Sequence, residues 1–458
     1  ASPARRAQRR ARRGGMLRLL LALCCVGAAA ARYMLIIDAG SSGSRLRIFN
    51  ASNAPGSRAV SAVQPRAPDE RSFGTEPGLS AFENYPAGAG ASLGGLIEAA
   101  KAYIPAEERG SSKLWVKATA GMRGLSQQQL DGIFASVRRY LQDPRRSPFE
   151  FASVSVLGGE EEAVFAFLGI NSLLASEGRD EGDPVGVLDM GGASLQVAYK
   201  PSSNILDGEF HFYMKDERQS VYARSFPQFG LDQALRRAIR AAARSADAAA
   251  GHADFPCFQR GVQETVRVDG RDVNITGSGD NAGCAALARQ LLHKEYECLL
   301  PPCPFMGVHM PPLTGRERFY AVSNFFYVPN GLGLMGWDER RAIRPSALRR
   351  AAEAFCQRTP ASGGPPVGTT QPAKYLRKFC FGGHYVWQVL TALGFPGDGD
   401  RITSVRELRH NVADWTLGAV LYETQEMPRQ RQVVAAAPAA LPAAAPRRWA
   451  PQWPRPGG

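Results

Sequence analysis

No stretch of this sequence is both long and apolar enough for a simple membrane-spanning helix, which takes about 20 residues. The richest run, Met16–Ala31 (MLRLLLALCCVGAAAA), is shorter and is cut by Arg18. Asp, Glu and Lys are missing from both ends of the chain. Residues 1–31 carry seven Arg and residues 428–458 carry five, so these ends hold twelve of the thirteen net positive charges. The body is nearly neutral, which excludes a dispersed basic surface for nucleic acid. Cysteine is absent between Cys25 and Cys257, and the six beyond that gap (Cys257, Cys284, Cys298, Cys303, Cys356, Cys380) contain no C-x-x-C pair. An even set without zinc-like spacing points to disulfides in an oxidising compartment.

What is present agrees with that compartment. An Arg-rich stretch, an apolar run and a small-residue end have the layout of a signal peptide, or of a signal anchor if the segment is retained. Asn50-Ala-Ser and Asn274-Ile-Thr are glycosylation sequons. The expected location is the lumen of the secretory pathway or outside the cell. With 44% hydrophobic and 21% charged residues, the rest has globular composition. Short apolar runs alternate with helical patterns, as in an α/β protein. Strands are predicted at Tyr33–Ile37, Leu46–Phe49, Leu114–Lys117, Val154–Leu157, Val185–Leu188 and Leu195–Tyr199. Helices are predicted at Ala91–Tyr103, Ser126–Leu141, Glu161–Leu174, Leu231–Ala243 and Ala282–Leu292, and Thr359–Ala373 reads as a loop.

One internal repeat carries chemistry. YMLIIDAGSSGSRLRIFN and VGVLDMGGASLQVAYK share a strand ending in Asp, a Gly/Ser turn and a second strand, with Asp38 and Asp189 in equivalent places. Such turns expose backbone N–H groups and hydroxyls in a nest that suits phosphate oxygens. Two facing hairpins would clamp a polyphosphate. The aspartates are placed to hold a hard cation, Mg2+ or Ca2+, through its waters. Between the repeats, Leu114–Arg123 runs into a turn offering Thr119 and Arg123 to phosphate, with Arg123 equally suited to holding the loop. Val156–Ala163 then places Glu160, Glu161 and Glu162 at a helix start. Acidic residues there complement the helix dipole, but hydrolysis of a phosphoanhydride also needs a carboxylate to orient and deprotonate water.

These segments resemble, in order, the conserved regions of the ectonucleoside triphosphate diphosphohydrolase (apyrase) family, in its plant and Golgi form: DAGSSGSR, ATAGMR, GGEEEAVFAFLGIN, LDMGGASLQV and FYAVSNFFY. PGLSAFENYP, VYARSFPQFGLDQA and DWTLGA are also similar to family stretches, and the likeness runs from Tyr33 to Tyr422. The resemblance implies hydrolysis of the terminal phosphate of nucleoside tri- or diphosphates by a Glu-activated water, in an α/β fold of two ribonuclease-H-like lobes of the actin and sugar-kinase type. The targeting segment spans 1–31, and the Ala/Pro/Arg composition of 428–458 predicts a disordered tail. The resemblance further implies a first lobe over 32–158 completed by about 403–427, a second lobe over 159–402, and the Golgi lumen as the alternative location if the anchor is retained. It assigns Asp38 and Asp189 to the metal's water shell. Ser41, Ser42, Gly43, Thr119, Arg123, Gly191, Gly192 and Ala193 go to the phosphates, Ser194 and Gln196 to the attacking water, and Tyr327 to the base. Aligning on Ile170-Asn171 makes Glu162 the catalytic carboxylate, with Glu161 the alternative. Cys356 is expected to pair with Cys380 and the other four Cys among themselves, with three connectivities open. Departures are Ala163 for Gly, Phe167 for Trp, and Gly43 where cell-surface members have His. Two rival readings are an exopolyphosphatase or guanosine pentaphosphatase of the same superfamily, whose third region often reads Glu-Glu-Ala, and a nucleotide-binding module without turnover.

Overall fold

A computed structural model of the chain describes residues 33–51, 60–62, 73–178, 183–214, 217–245, 251–359, 371, 373–395, 397–409 and 411–425. The targeting segment and the Ala/Pro/Arg tail lie outside them, as does nearly all of the expected Thr359–Ala373 loop. Among the described residues no helix is long and apolar enough to cross a membrane.

Two sheets repeat one plan. In the first, β1 (Tyr33–Ala39) turns back antiparallel into β2 (Ser44–Ala51), which carries β3 (Val60–Ala62) and β4 (Gly74–Thr75). On its other side β1 runs parallel to β5 (Lys113–Ala118), and β6 (Glu150–Val156) follows. In the second, β7 (Gly186–Met190) turns back into β8 (Ser194–Tyr199), beyond which lie β9 (Glu209–Met214) and β10 (Glu217–Pro227) in the order β8-β10-β9. A small separate sheet holds β11 (His252–Phe255), β12 (Gln263–Val268) and β13 (Arg271–Gly277). The second sheet is completed by β14 (Phe319–Ser323), parallel to β7, and by β15 (Arg341–Ala342) and β16 (Ile402–Ser404). Thus β1, β2 and β5 of the first sheet correspond to β7, β8 and β14 of the second. This is a two-lobe, actin-like arrangement, and Asp38 and Asp189 sit at matching strand ends.

The helices of eight residues or more are α1 (Gly94–Tyr103), α2 (Gln127–Leu141), α3 (Gly159–Ser176), α4 (Leu231–Ser245), α5 (Asn281–Gln290), α6 (Asn324–Gly331), α7 (Pro345–Cys356), α8 (Lys378–Ala392) and α9 (Thr416–Gln425). Strand periodicity explains how the layers meet. Leu35, Ile37 and Ala39 of β1 pack with Ile97 of α1 and Val137 of α2, while Met34 and Ile36 face the other way, into the cluster around α3. α3 is apolar nearly all round, and its Val164–Ile170 stretch lies between Trp115 of the first sheet and Val187 and Val322 of the second. Burying each such large side chain contributes roughly 1.5–3 kcal/mol, so the body of α3 anchors it and leaves its polar first turn to other uses. α9 crosses α3 closely, because a Cβ added at Gly418 would meet the Phe165 carbonyl oxygen at 1.8 Å.

The six body cysteines form Cys257–Cys284, Cys298–Cys303 and Cys356–Cys380. The expected Cys356–Cys380 bond is present, and the pairing of the other four is now assigned. Asn50 lies in β2 opposite Tyr33, and Asn274 is exposed on β13, where its side-chain oxygen accepts from the Thr265 hydroxyl at 2.8 Å.

Candidate active site

Both hairpin turns lie in one cleft. A Cβ added at Gly192, in the second turn, would stand 3.2 Å from Ser41 Oγ in the first. Each turn is braced by backbone. Behind the first, a Cβ at Gly121 would lie 2.8 Å from Ser41 Cα, so the ATAGMR segment packs directly on it. The Thr119 amide donates to the Ala39 carbonyl at 3.2 Å. Behind the second, the amides of Leu231 and Asp232 at the start of α4 donate to the carbonyls of Gly191 and Gly192, each at 3.0 Å. Asn324 Nδ2 donates to the carbonyls of Met190 at 2.8 Å and Gly191 at 3.0 Å. Ser41 is half-buried and Ser42 exposed, whereas Gly43 is buried with Thr75 O only 2.6 Å from its virtual Cβ. That carbonyl leaves no room for a side chain at this position.

The acidic start of α3 resolves into two different jobs. Glu161 bends back on its own helix, and the Gly158 amide donates to its Oε2 at 2.9 Å. Glu162 is instead buried, 7% exposed, and is the hub of a polar network. Its Oε2 accepts from Arg123 Nη2 and, at 3.3 Å, from Gln196 Nε2. Gln196 Nε2 also donates to Ser194 Oγ at 2.6 Å and to Ser225 Oγ at 3.1 Å. Arg123 Nε donates to the Leu157 carbonyl at 2.9 Å, so its guanidinium meets the carboxylate and the loop end. Glu162, Ser194, Gln196 and Arg123 are therefore brought together as one unit.

Burial dominates the charges here. It pushes Glu162 up to about 8, against the nearby Arg123 and with help from Asp189 and Asp38. Burial also raises Asp38 and Asp189 to about 6, with Arg45 opposing it at Asp38 and a Ser323 hydrogen bond opposing it at Asp189. Asp38 Oδ1 is buried and takes no hydrogen bond. Two desolvated carboxylates, one with an orphaned oxygen, suit a hard divalent cation. Among the described residues no group of three His, Cys, Asp or Glu side chains could hold a metal ion by itself. Tyr327 packs its ring 5.7 Å from Phe326 and 6.0 Å from Trp337, and it lies near Arg47.

Several site neighbours escape sequence reasoning. Asp414 accepts from Arg47 Nε at 3.0 Å and adds its charge beside Asp38 and Asp189. Ser225, Asp232, Ser323 and Asn324 also belong here. All but Arg47 lie in stretches already noted as family-like, and the missing signal was which of their polar side chains turn inward.

A profile for GDA1/CD39 (nucleoside phosphatase) proteins matches residues 27–436, nearly the whole chain. The chain belongs to this family. It is 32% identical over 324 residues to guanosine-diphosphatase of Saccharomyces cerevisiae, covering 65% of this chain and 61% of that protein. Against ectonucleoside triphosphate diphosphohydrolase 8 of Homo sapiens it is 30% identical over 439 residues, covering 87% and 83%. Golgi apyrase of Saccharomyces cerevisiae is 27% identical over 445 residues, covering 85% and 70%. The chain thus spans about three fifths of the first relative and over two thirds of the others. A solved nucleoside triphosphate hydrolase from Neospora caninum matches with a TM-score of 0.60 at 16% identity, covering 91% of this chain and 96% of that one, which shows the shared fold.

Proposed function

We propose that this nucleoside phosphatase hydrolyses the terminal phosphoanhydride of nucleoside tri- or diphosphates, releasing orthophosphate. The observation that carries the reading is the network joining Arg123, Glu162, Gln196 and Ser194 within the cleft lined by both Gly/Ser turns. The turns bind the phosphate chain through the backbone of Ser41–Gly43 and Gly191–Ala193, helped by Ser41, Ser42 and Thr119. Ser194 and Gln196 hold a water, and neither accepts its proton near neutral pH. Glu162 does so in its ionised form, which Arg123 favours against the burial that raises it. Arg123 fixes the carboxylate's orientation. Asp38 and Asp189 would hold a divalent cation, Mg2+ or Ca2+. When bound, that cation supplies the positive charge that compensates the polyphosphate and the two aspartates. Tyr327 offers a face to the base.

The three disulfides and the Golgi names among the relatives support work in the secretory pathway, because disulfides persist in oxidising compartments. We further propose lobe boundaries at about 158 and 402 with 403–427 returning to the first lobe; the ion pairs of Asp414 with Arg47 and of Glu423 with Lys117 support that return, although Thr403 and Ser404 still pair with β14. The test is phosphate release from a panel of nucleoside tri- and diphosphates and inorganic polyphosphate, with and without chelator. Release from nucleotides that chelator abolishes is expected. Release from polyphosphate alone would favour the exopolyphosphatase reading, and nucleotide binding without release the non-catalytic one.

A further inference from the structure

The second phosphate turn has an acidic neighbour that the proposed chemistry does not use. Asp232, in the first turn of α4, donates its backbone amide to the Gly192 carbonyl at 3.0 Å, and its Oδ2 lies 2.9 Å from the virtual Cβ of Gly192. Ser41 Oγ of the opposite turn lies 3.2 Å from that same point. A carboxylate therefore borders the space between the two turns, where a polyphosphate is to sit. Left alone it would repel the substrate, since like charges a few ångströms apart in a partly buried cleft interact strongly. Asp232 Oδ1 is ion-paired to Lys378 Nζ, and both side chains are partly buried, 29% and 21% exposed. Lys378 opens α8, two residues before Cys380, whose disulfide to Cys356 ties α8 to the end of α7. The ammonium is thus held in place by a covalently fixed helix start.

We propose that Lys378 sets how well the cleft tolerates substrate charge, by neutralising Asp232 beside the second phosphate turn. It is a specificity-determining residue acting through Asp232, and the idea rests on the nucleotide reading above. Removing the ammonium leaves an uncompensated carboxylate against the phosphate chain. A nucleoside triphosphate, carrying one more negative charge than the diphosphate, suffers more.

The experiment compares KM and kcat for one nucleoside's tri- and diphosphate in wild type, Lys378→Met, Lys378→Arg, Asp232→Asn and the double variant Asp232→Asn/Lys378→Met. Lys378→Met is expected to raise KM for the triphosphate at least about threefold more than for the diphosphate, with kcat nearly kept. The gap should shrink as salt is raised. Lys378→Arg, which keeps the charge, and the double variant, which removes both, should each restore the wild-type ratio. Equal loss on both nucleotides, or no recovery in the double variant, makes the pair a packing contact and overturns the proposal. So does failure of the Met, Arg and double variants alike to fold. Wild-type protein that releases no phosphate from any nucleotide overturns the functional reading itself, a result distinct from active wild type with an unchanged tri-to-diphosphate ratio in Lys378→Met.

Discussion

Glu161 and Glu162 are chemically identical neighbours with opposite surroundings. Helix geometry turns successive side chains by about 100°, so one folds back over the helix start and the next points into the cleft. Glu162→Gln keeps the shape but removes the charge, and losing a positioned general base typically costs about 10²–10⁴-fold in rate. We expect single-turnover phosphate release to fall by that order while nucleotide binding persists. Glu161→Gln should leave turnover within about threefold of wild type, because its amide oxygen still accepts from the Gly158 amide. Glu161→Ala loses that acceptor and should cost about 1 kcal/mol of stability, with kcat little changed. Reversed effects of the two Gln substitutions would exchange the roles of these residues. If neither slows release tenfold, the water-activating carboxylate lies elsewhere.

Elements place these side chains, and α9 shows how a distant segment does so. Asp414, just before α9, pairs with Arg47 of β2, and Glu423 of α9 pairs with Lys117 of β5 at 2.5 Å with both side chains about nine-tenths buried. Along the same helix Gly418 lies against the Phe165 backbone, one turn beyond Glu162. α9 therefore clamps the first sheet to the helix that carries the proposed base. A side chain at Gly418 must push the two helices apart, so Gly418→Val is expected to lose about 3 kcal/mol or more, the upper range for overpacking, and to lower kcat through misplacement of Glu162. Gly95, in α1, has no neighbour within 4 Å of a virtual Cβ. Gly95→Ala should stabilise by roughly 0.5–1 kcal/mol through helix propensity alone. Chemical denaturation of both variants beside wild type gives the comparison, and equal small effects would mean that α9 does not pack this tightly.

At this scale sequence reasoning had uneven reach. β1, β2, β5, β7 and β8 were legible because each is a short apolar strand bounded by Gly or Ser turns, and the duplicated hairpin pointed to two lobes. α8 was not, since KFCFGGHYVWQVLTA has glycines and aromatics on every side and is buried on several faces, which removes the amphipathic period. β9 and β10 were hidden because the charged run Lys-Asp-Glu-Arg at 215–218 breaks the apolar alternation of the sequence. In the site, Asp38, Asp189 and the second and third motifs were legible as motifs. Ser225, Asp232 and Asp414 were not, because only the fold brings them beside residues far away in the chain.

For the whole molecule, one buried group outside the cleft links stability to pH. His384 is fully buried on α8, its Nε2 lies 3.2 Å from Asn281 Oδ1 of α5, and its Nδ1 has no partner. Burial, reinforced by Arg349 of α7, lowers it from the usual 6.5 to about 4. The native protein therefore keeps this imidazole neutral, while the unfolded chain protonates it below about pH 6.5. With more protons bound to the unfolded state between pH 6.5 and 4, this group's stabilising contribution is complete above that window and is lost as pH falls through it. One group contributes a slope of at most about 1.4 kcal/mol per pH unit. The raised carboxylates Glu162, Asp38 and Asp189 act in the opposite sense, so the wild-type profile alone does not isolate His384. The difference between wild type and His384→Gln does. Unfolding free energies from urea titrations at pH 7.0, 6.0 and 5.0 should show wild type losing more stability on acidification than the variant. Parallel profiles would mean that His384 takes up its proton in the native state, and that α8 opens to water where the structure packs it against α5 and α7.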